Sequence, residues 1–204
     1  VATLRVWSQN ASSIELVIFD ETDLDWETAQ LALERRPGGV WEITTELLQP
    51  GTRYALRVDG AHSPGNTFNP ETLLLDPYAR QLVGDLHWDD ALFGYPAGAG
   101  DLDRDDRDSA PFMPKAVVAD PDFDWDSDRA LTRPWEATVL YEAHLKGLTK
   151  LHPAVPEADR GTFAGLAAPA VIQHLKALGV TAVELLPVHS FVQDRHLLEK
   201  GLTN

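Results

Sequence analysis

The chain has no cysteine, so neither a disulfide framework nor a thiolate metal site can be built from it. A reducing compartment fits that absence. Basic residues are scarce: 17 Lys and Arg stand against 32 Asp and Glu, for a formal net charge of −15. Nucleic acid and anionic membrane surfaces require clustered Lys and Arg, and this balance argues against both as partners. A neutral polymer such as a polysaccharide remains compatible, because sugars are held by aromatic stacking and hydrogen bonds. No stretch approaches the roughly 18 apolar residues of a membrane span, and the first residues lack a signal-peptide pattern; the expected location is the cytoplasm. The 7 histidines include no His-x-x-x-His pair on a helical face. There is no Gly-x-Gly-x-x-Gly and no phosphate-binding loop. No metal site and no cofactor are implied.

What is present is an ordinary apolar content, 44% of 204 residues, enough for one or two cored domains. Residues 1–85 read as antiparallel β. Ile14, Leu16 and Ile18 alternate with Glu15 and Val17, and Tyr54, Leu56 and Val58 with Arg53, Ala55 and Arg57. That is the period of half-buried strands. Arg36-Pro-Gly-Gly39 and Gln49-Pro-Gly-Thr52 punctuate them as turns, since Pro presets φ and Gly accepts a positive one. Short strands so punctuated predict an immunoglobulin-like β-sandwich.

Residues 86–137 read as a solvated connector. The acidic run Asp101-Leu-Asp-Arg-Asp-Asp-Arg-Asp108 is expected to be a surface loop, because the glycine and terminal glutamate of a calcium loop are missing at the required spacing. From residue 138 the pattern changes. Val139, Leu140 and Tyr141 suit a buried parallel strand. Pro169 opens a helix in which Val171, Ile172, Leu175 and Leu178 repeat before Gly179. Val183-Glu-Leu-Leu186 is a second buried strand. Strand, helix and strand predict a βαβ crossover, with a long Leu145–Ala168 connection at the strand's C-terminal face.

The order of several segments resembles the glycogen-debranching and isoamylase family of α-glucan hydrolases (glycoside hydrolase family 13). Leu4-Arg-Val-Trp-Ser-Gln-Asn-Ala11 with Val17-Ile-Phe-Asp-Glu21 resembles the opening of that family's accessory sandwich, a module of the carbohydrate-binding family 48 type. Phe68-Asn-Pro70 followed by Leu73-Leu-Leu-Asp-Pro-Tyr-Ala-Arg80 resembles its closing segment, although Thr72 stands where the family often carries Lys. Asp108-Ser-Ala-Pro-Phe-Met-Pro-Lys115 is similar to the passage into the catalytic domain. Tyr141-Glu-Ala-His-Leu-Lys-Gly-Leu-Thr149, Arg160-Gly-Thr-Phe163 and Glu184-Leu-Leu-Pro-Val188 resemble the first strand, first loop and second strand of a (β/α)8 barrel. The resemblance implies an accessory domain at 1–85, a connector at 86–137 and the start of a catalytic barrel at 138–204. Such a barrel needs about 250 residues, so only about a quarter of it would be here. It further implies hydrolysis of α-1,6 branch linkages in glycogen or limit dextrin, by carboxylates placed after the fourth, fifth and seventh barrel strands. None of these can be mapped onto this chain, which alone is expected to be inactive. A branching transferase, a trehalose-releasing hydrolase, a non-catalytic glycogen-binding module and a purely structural piece without a ligand are the alternatives; Lys146-Gly-Leu-Thr149 favours the debranching type.

Individual side chains offer candidates. Trp7, Trp26 and Trp41 could stack on glucose rings, with core packing as the competing and favoured role. Glu142, His144 and Glu184 lie on adjacent strands, where a Glu–His contact is plausible; a structural polar network is the favoured reading. His189 and Phe191 follow the second strand and could line the rim of a sugar cleft, or be an ordinary loop pair.

Overall fold

The computed structural model describes residues 1–100, 102–120 and 122–204. Asp101, within the acidic run, and Pro121 lie outside the described residues. The chain forms two compact units, Val1–Asp124 and Trp125–Asn204.

In the first unit, strands β1 (Ala2–Trp7), β2 (Ala11–Phe19), β3 (Glu27–Ala32), β4 (Glu34–Arg35), β5 (Val40–Thr45) and β6 (Arg53–Gly60) follow in succession. The short hairpin strands β7 (His62–Ser63) and β8 (Asn66–Thr67) come next, then β9 (Gln81–Val83) and β10 (Lys115–Val117). They build a three-stranded sheet in the order β1-β5-β4 and a five-stranded sheet in the order β3-β2-β6-β10-β9. All of these pairings are antiparallel. The turn before β6 is tight because Gly51 holds φ at 94°, and the Thr52 amide closes it onto the Gln49 carbonyl at 2.9 Å.

The alternation seen in the sequence points Ile14, Leu16, Ile18, Tyr54, Leu56 and Val58 into one core, where they meet Val6 and Trp41 of the other sheet. The opposite face is also buried, contrary to the half-buried expectation. Val17, Phe19 and Ala55 are covered by Leu73 and Ala110, with Met113 packed against them. The covering chain comes largely from the stretch read as a solvated connector, and hydrogen bonds explain why it stays down. Ser109 is fully buried; its hydroxyl accepts from the Leu73 amide at 2.8 Å, and its own amide reaches the Glu71 carbonyl at 3.0 Å. Buried Lys115 donates from Nζ to the Ala110 and Met113 carbonyls at 2.6 and 2.7 Å and sits 4.8 Å from the Phe19 ring centroid. Removal from water lowers its pKa. The carbonyls and the ring are what make a buried ammonium tolerable there.

Arg57 fastens the same layer. Its guanidinium donates to Glu27 at 2.6 Å, to both Asp108 oxygens at 3.0 Å and to the Pro70 carbonyl at 2.9 Å. Asp105, in the acidic run, is buried rather than solvated and is clasped by Arg107, with an Nη2–Oδ2 distance of 2.6 Å.

The second unit contains β11 (Leu140–Ala143), α1 (Leu145–Thr149), α2 (Phe163–Leu166), α3 (Pro169–Ala177), β12 (Ala182–Leu185) and α4 (Arg195–Leu198). Strands β11 and β12 pair in parallel, Leu140 opposite Ala182 through Ala143 opposite Leu185. Val171 and Leu175 of α3 pack with Val155 and Ala168, and Tyr141 joins them from β11. Ile172 and Leu178 stay 40% and 54% exposed, so only half of the predicted apolar stripe on α3 is buried.

Candidate functional site

The three tryptophans separate by strand parity. Val6 pairs with Trp41 and Trp7 with Val40 across β1 and β5. Partners in an antiparallel ladder share a face, and neighbours along a strand lie on opposite faces. Val6 and Trp41 therefore enter the core together, at 7% and 4% exposure, while Trp7 faces out at 67%. Trp41 offers no ring face to a sugar, which removes it from the candidate binding residues. Its Nε1 donates to the Ser8 carbonyl at 3.0 Å. Trp7 keeps its ring exposed with Nε1 tied to the Gly38 carbonyl at 3.0 Å. Trp26 is 65% exposed in the loop between β2 and β3, where its carbonyl accepts from the Asp20 amide. Trp7 precedes β2 and Trp26 follows it. A strand of nine residues holds those ends roughly 26 Å apart, so the two exposed tryptophans form no common platform.

In the second unit, the register places Glu142 beside Glu184. Both are exposed on the sheet face away from Tyr141, which packs towards the helices. Two carboxylates on adjacent strands approach a ligand from one side, whereas the acid and nucleophile of retaining glycoside hydrolysis flank the scissile bond. His144 is engaged elsewhere than at Glu142: its Nδ1 accepts from the Gly147 amide at 3.0 Å and so caps α1.

The loop that follows is pinned by Thr149, which is fully buried and whose hydroxyl accepts from the Gly161 amide at 2.8 Å. Arg160 donates to the Val155 carbonyl at 3.0 Å, and Thr162 caps α2 by accepting from the Gly165 amide at 3.2 Å. The Lys146–Thr149 and Arg160–Phe163 segments are thus two halves of one fastened loop. Because the strands are parallel, this loop and the segment carrying His189 and Phe191 leave from the same end of the pair. His189 and Phe191 are both exposed, Phe191 at 66%.

Among the described residues, no group of three or more His, Asp or Glu side chains is arranged to hold a metal ion, and no helix is long and apolar enough to cross a membrane.

Strands β1 to β8 of the first unit fall within a family match. The family model for carbohydrate-binding module 48 (isoamylase N-terminal domain) matches residues 2–79. Over 201 residues the chain is 46% identical to a glycogen debranching enzyme of Pectobacterium carotovorum, covering 98% of this chain and 29% of that protein. Over nearly its whole length the chain is thus similar to part of a glycogen debranching enzyme. A glycogen operon protein GlgX homolog of Mycobacterium bovis is 42% identical over 203 residues, covering 98% of this chain and 28% of its own length. Among solved structures, the catalytic module of the glycogen-degrading pneumococcal virulence factor SpuA superposes with a TM-score of 0.64 at 27% identity, over 93% of this chain and 25% of that one. The chain thus spans less than a third of the length of the curated relatives it matches.

Proposed function

We propose that this chain belongs to the glycogen-debranching and isoamylase family and serves a glycoside hydrolase of branched α-glucan, one that cleaves α-1,6 linkages in glycogen or limit dextrin in the cytoplasm. The observation that carries the reading is the 46% identity with a glycogen debranching enzyme over 98% of this chain, across both units. In this reading residues 1–85 are the accessory sandwich, 86–137 the connector, which stays in the sandwich's compact unit as far as Asp124, and 138–204 the opening of a (β/α)8 barrel. The parallel β11–β12 pair with its intervening helices supports that last assignment. Exposed His189 and Phe191, at the C-terminal end of that pair, would belong to the rim of the barrel's sugar cleft. Trp7 and Trp26 would be secondary contacts at separate ends of the sandwich.

Catalysis by carboxylate nucleophile and acid/base would use groups on later barrel strands. The 204-residue chain alone is expected to release no reducing sugar from glycogen or limit dextrin. A polypeptide extended to the full length of its relatives is expected to release it. Turnover that co-purifies with the short chain would defeat the assignment of the carboxylates, and chain transfer without new reducing ends by the long one would make the parent a branching transferase.

A further inference from the structure

Beside the C-terminal part of β6, a cleft of about 310 Å³ opens in the first unit. Asn66 and Thr67 of β8, Phe68, Thr72, Leu74 and Phe93 contribute to its wall. None of its lining residues is charged, in a chain where 24% of residues are. Its polar groups are also unspent. Asn66 accepts from Asn10 Nδ2 at 2.8 Å through Oδ1, but its amide nitrogen and the hydroxyls of Thr67 and Thr72 make no hydrogen bond among the described residues.

The frame around these groups is rigid. Buried Asn69 donates from Nδ2 to the Asp105 carbonyl at 2.8 Å and to the Gly94 carbonyl at 3.2 Å, and accepts from the Glu71 amide at 3.0 Å. Gly94 holds φ at 73°, and a Cβ there would come within 2.9 Å of the Thr72 hydroxyl. Phe93 is 45% exposed and lies between two further rings, with the Tyr95 centroid at 5.9 Å and the Trp88 centroid at 6.4 Å.

The ligand class follows from this lining. A charged ligand finds no counter-charge. A purely apolar one would strand three hydrogen-bonding groups, which is unfavourable once they are sealed from water. A neutral polyol satisfies both conditions, its hydroxyls meeting Asn66, Thr67 and Thr72 and its C–H face the Phe93 ring. The volume is at the lower end for ligand sites, room for one or two sugar rings. We infer that this cleft is a glucan-holding subsite that seats part of an α-linked glucose chain on Phe93. The choice of glucose rests on the debranching reading above; the neutral-polyol chemistry rests on the cleft.

The test is affinity electrophoresis of the 204-residue chain in gels containing glycogen, with a maltoheptaose titration followed by amide NMR. Phe93→Ala is expected to weaken binding about threefold to tenfold, from the loss of one stacking contact. Thr72→Val, which removes a hydroxyl that makes no hydrogen bond among the described residues, should weaken it about fivefold at an unchanged melting temperature. Trp7→Ala and Trp26→Ala should weaken retention less than either cleft variant, as the loss of secondary contacts. Absence of retention in the parent chain overturns the inference, as does retention lost in a tryptophan variant and kept in both cleft variants. Failure of the full-length polypeptide to release reducing sugar bears instead on the debranching reading, so the two can fail separately.

Discussion

Replacing Asn69 by Asp exchanges one NH2 group for an oxygen, and the structure sets the consequence within narrow limits. The side chain is 6% exposed. Its Oδ1 would still accept from the Glu71 amide, but the atom now donating to the Asp105 and Gly94 carbonyls would become a carboxylate oxygen facing two others. Burial and that opposition both favour the protonated acid. The introduced carboxyl should therefore have its folded-state pKa raised above the ordinary value of about 3.9. The sign follows from linkage: a carboxyl with a raised folded pKa destabilises as pH rises, because the unfolded chain sheds a proton that the folded chain retains.

Below pH 4 the neutral acid can still donate one hydrogen bond, so Asn69→Asp should cost only about 1 kcal/mol, one bond of two. At pH 7 the ionisation penalty adds at most about 4 kcal/mol, the cost of holding a proton some three pH units above its ordinary range. Urea unfolding of parent and variant at pH 4 and pH 7 measures the difference directly. The variant should fall further behind its parent as pH rises, by about 2–4 kcal/mol between those two conditions. A gap that is the same at both, or below about 1 kcal/mol at pH 7, would refute the placement of Asn69 as the clamp between residues 94 and 105.

Two other perturbations test the packing elsewhere. Tyr54 is buried and donates to Asp76 at 2.8 Å, and burial first, then that bond, pushes its phenol well above the ordinary range. The folded chain thus keeps a proton that the unfolded chain loses. Stability should fall as pH climbs past about 10, and Tyr54→Phe, about 1 kcal/mol weaker at pH 7, should overtake its parent in alkaline urea melts; parallel curves would contradict this. In the second unit, a methyl group at Gly165 would overlap the Asp159 carbonyl and press on the Thr149 hydroxyl. Gly165→Ala should cost about 2–4 kcal/mol there. Gly179→Ala meets no atom within 4 Å at φ 75° and should cost about 1–2 kcal/mol; hydrogen exchange over residues 144–166 that ranks the two the other way would disprove the account.

The strands were legible because one row of apolar side chains recurs at every second residue along them, and the same periodicity would have sorted the tryptophans. Ala2, Leu4 and Val6 alternate with Thr3, Arg5 and Trp7, which puts Trp7 on the outward row. Trp41 and Ile43 share the inward row of β5. The buried second face was not legible, since Val17, Phe19 and Ala55 look like the outer row of ordinary strands until the chain carrying Leu73 and Ala110 returns over them. Its anchors are polar residues in loop-like sequence. Nothing local distinguishes Ser109, paired with Leu73 36 residues away, from a surface serine. Asn69-Pro70 and Asp76-Pro77 carried a partial signal: a side chain that bonds the amide two residues on, as each does, marks a fixed turn. Glu142 and Glu184 were legible as neighbours, whereas the commitment of His144 to capping α1 depends on a helix of five residues, too short to announce itself.

Burial on both faces decides where the first unit can meet a polymer. The middle of β2 and β6 carries no open surface, so a glucan has access to sheet edges, loops and strand ends. Trp7 and Trp26 occupy such places as single rings at opposite ends of β2, each without a grouped set of free hydrogen-bonding partners. The cleft at Phe93 has a ring, three uncommitted polar groups and a frame fixed by Asn69. It owes that frame to the very layer that closes the second face, since Gly94 and Asp105 are held in place by the chain descending to Ser109. Covering the sheet and shaping the cleft are one structural event, and a change that loosens the cover should therefore be felt at the cleft before it is felt in the core between the sheets.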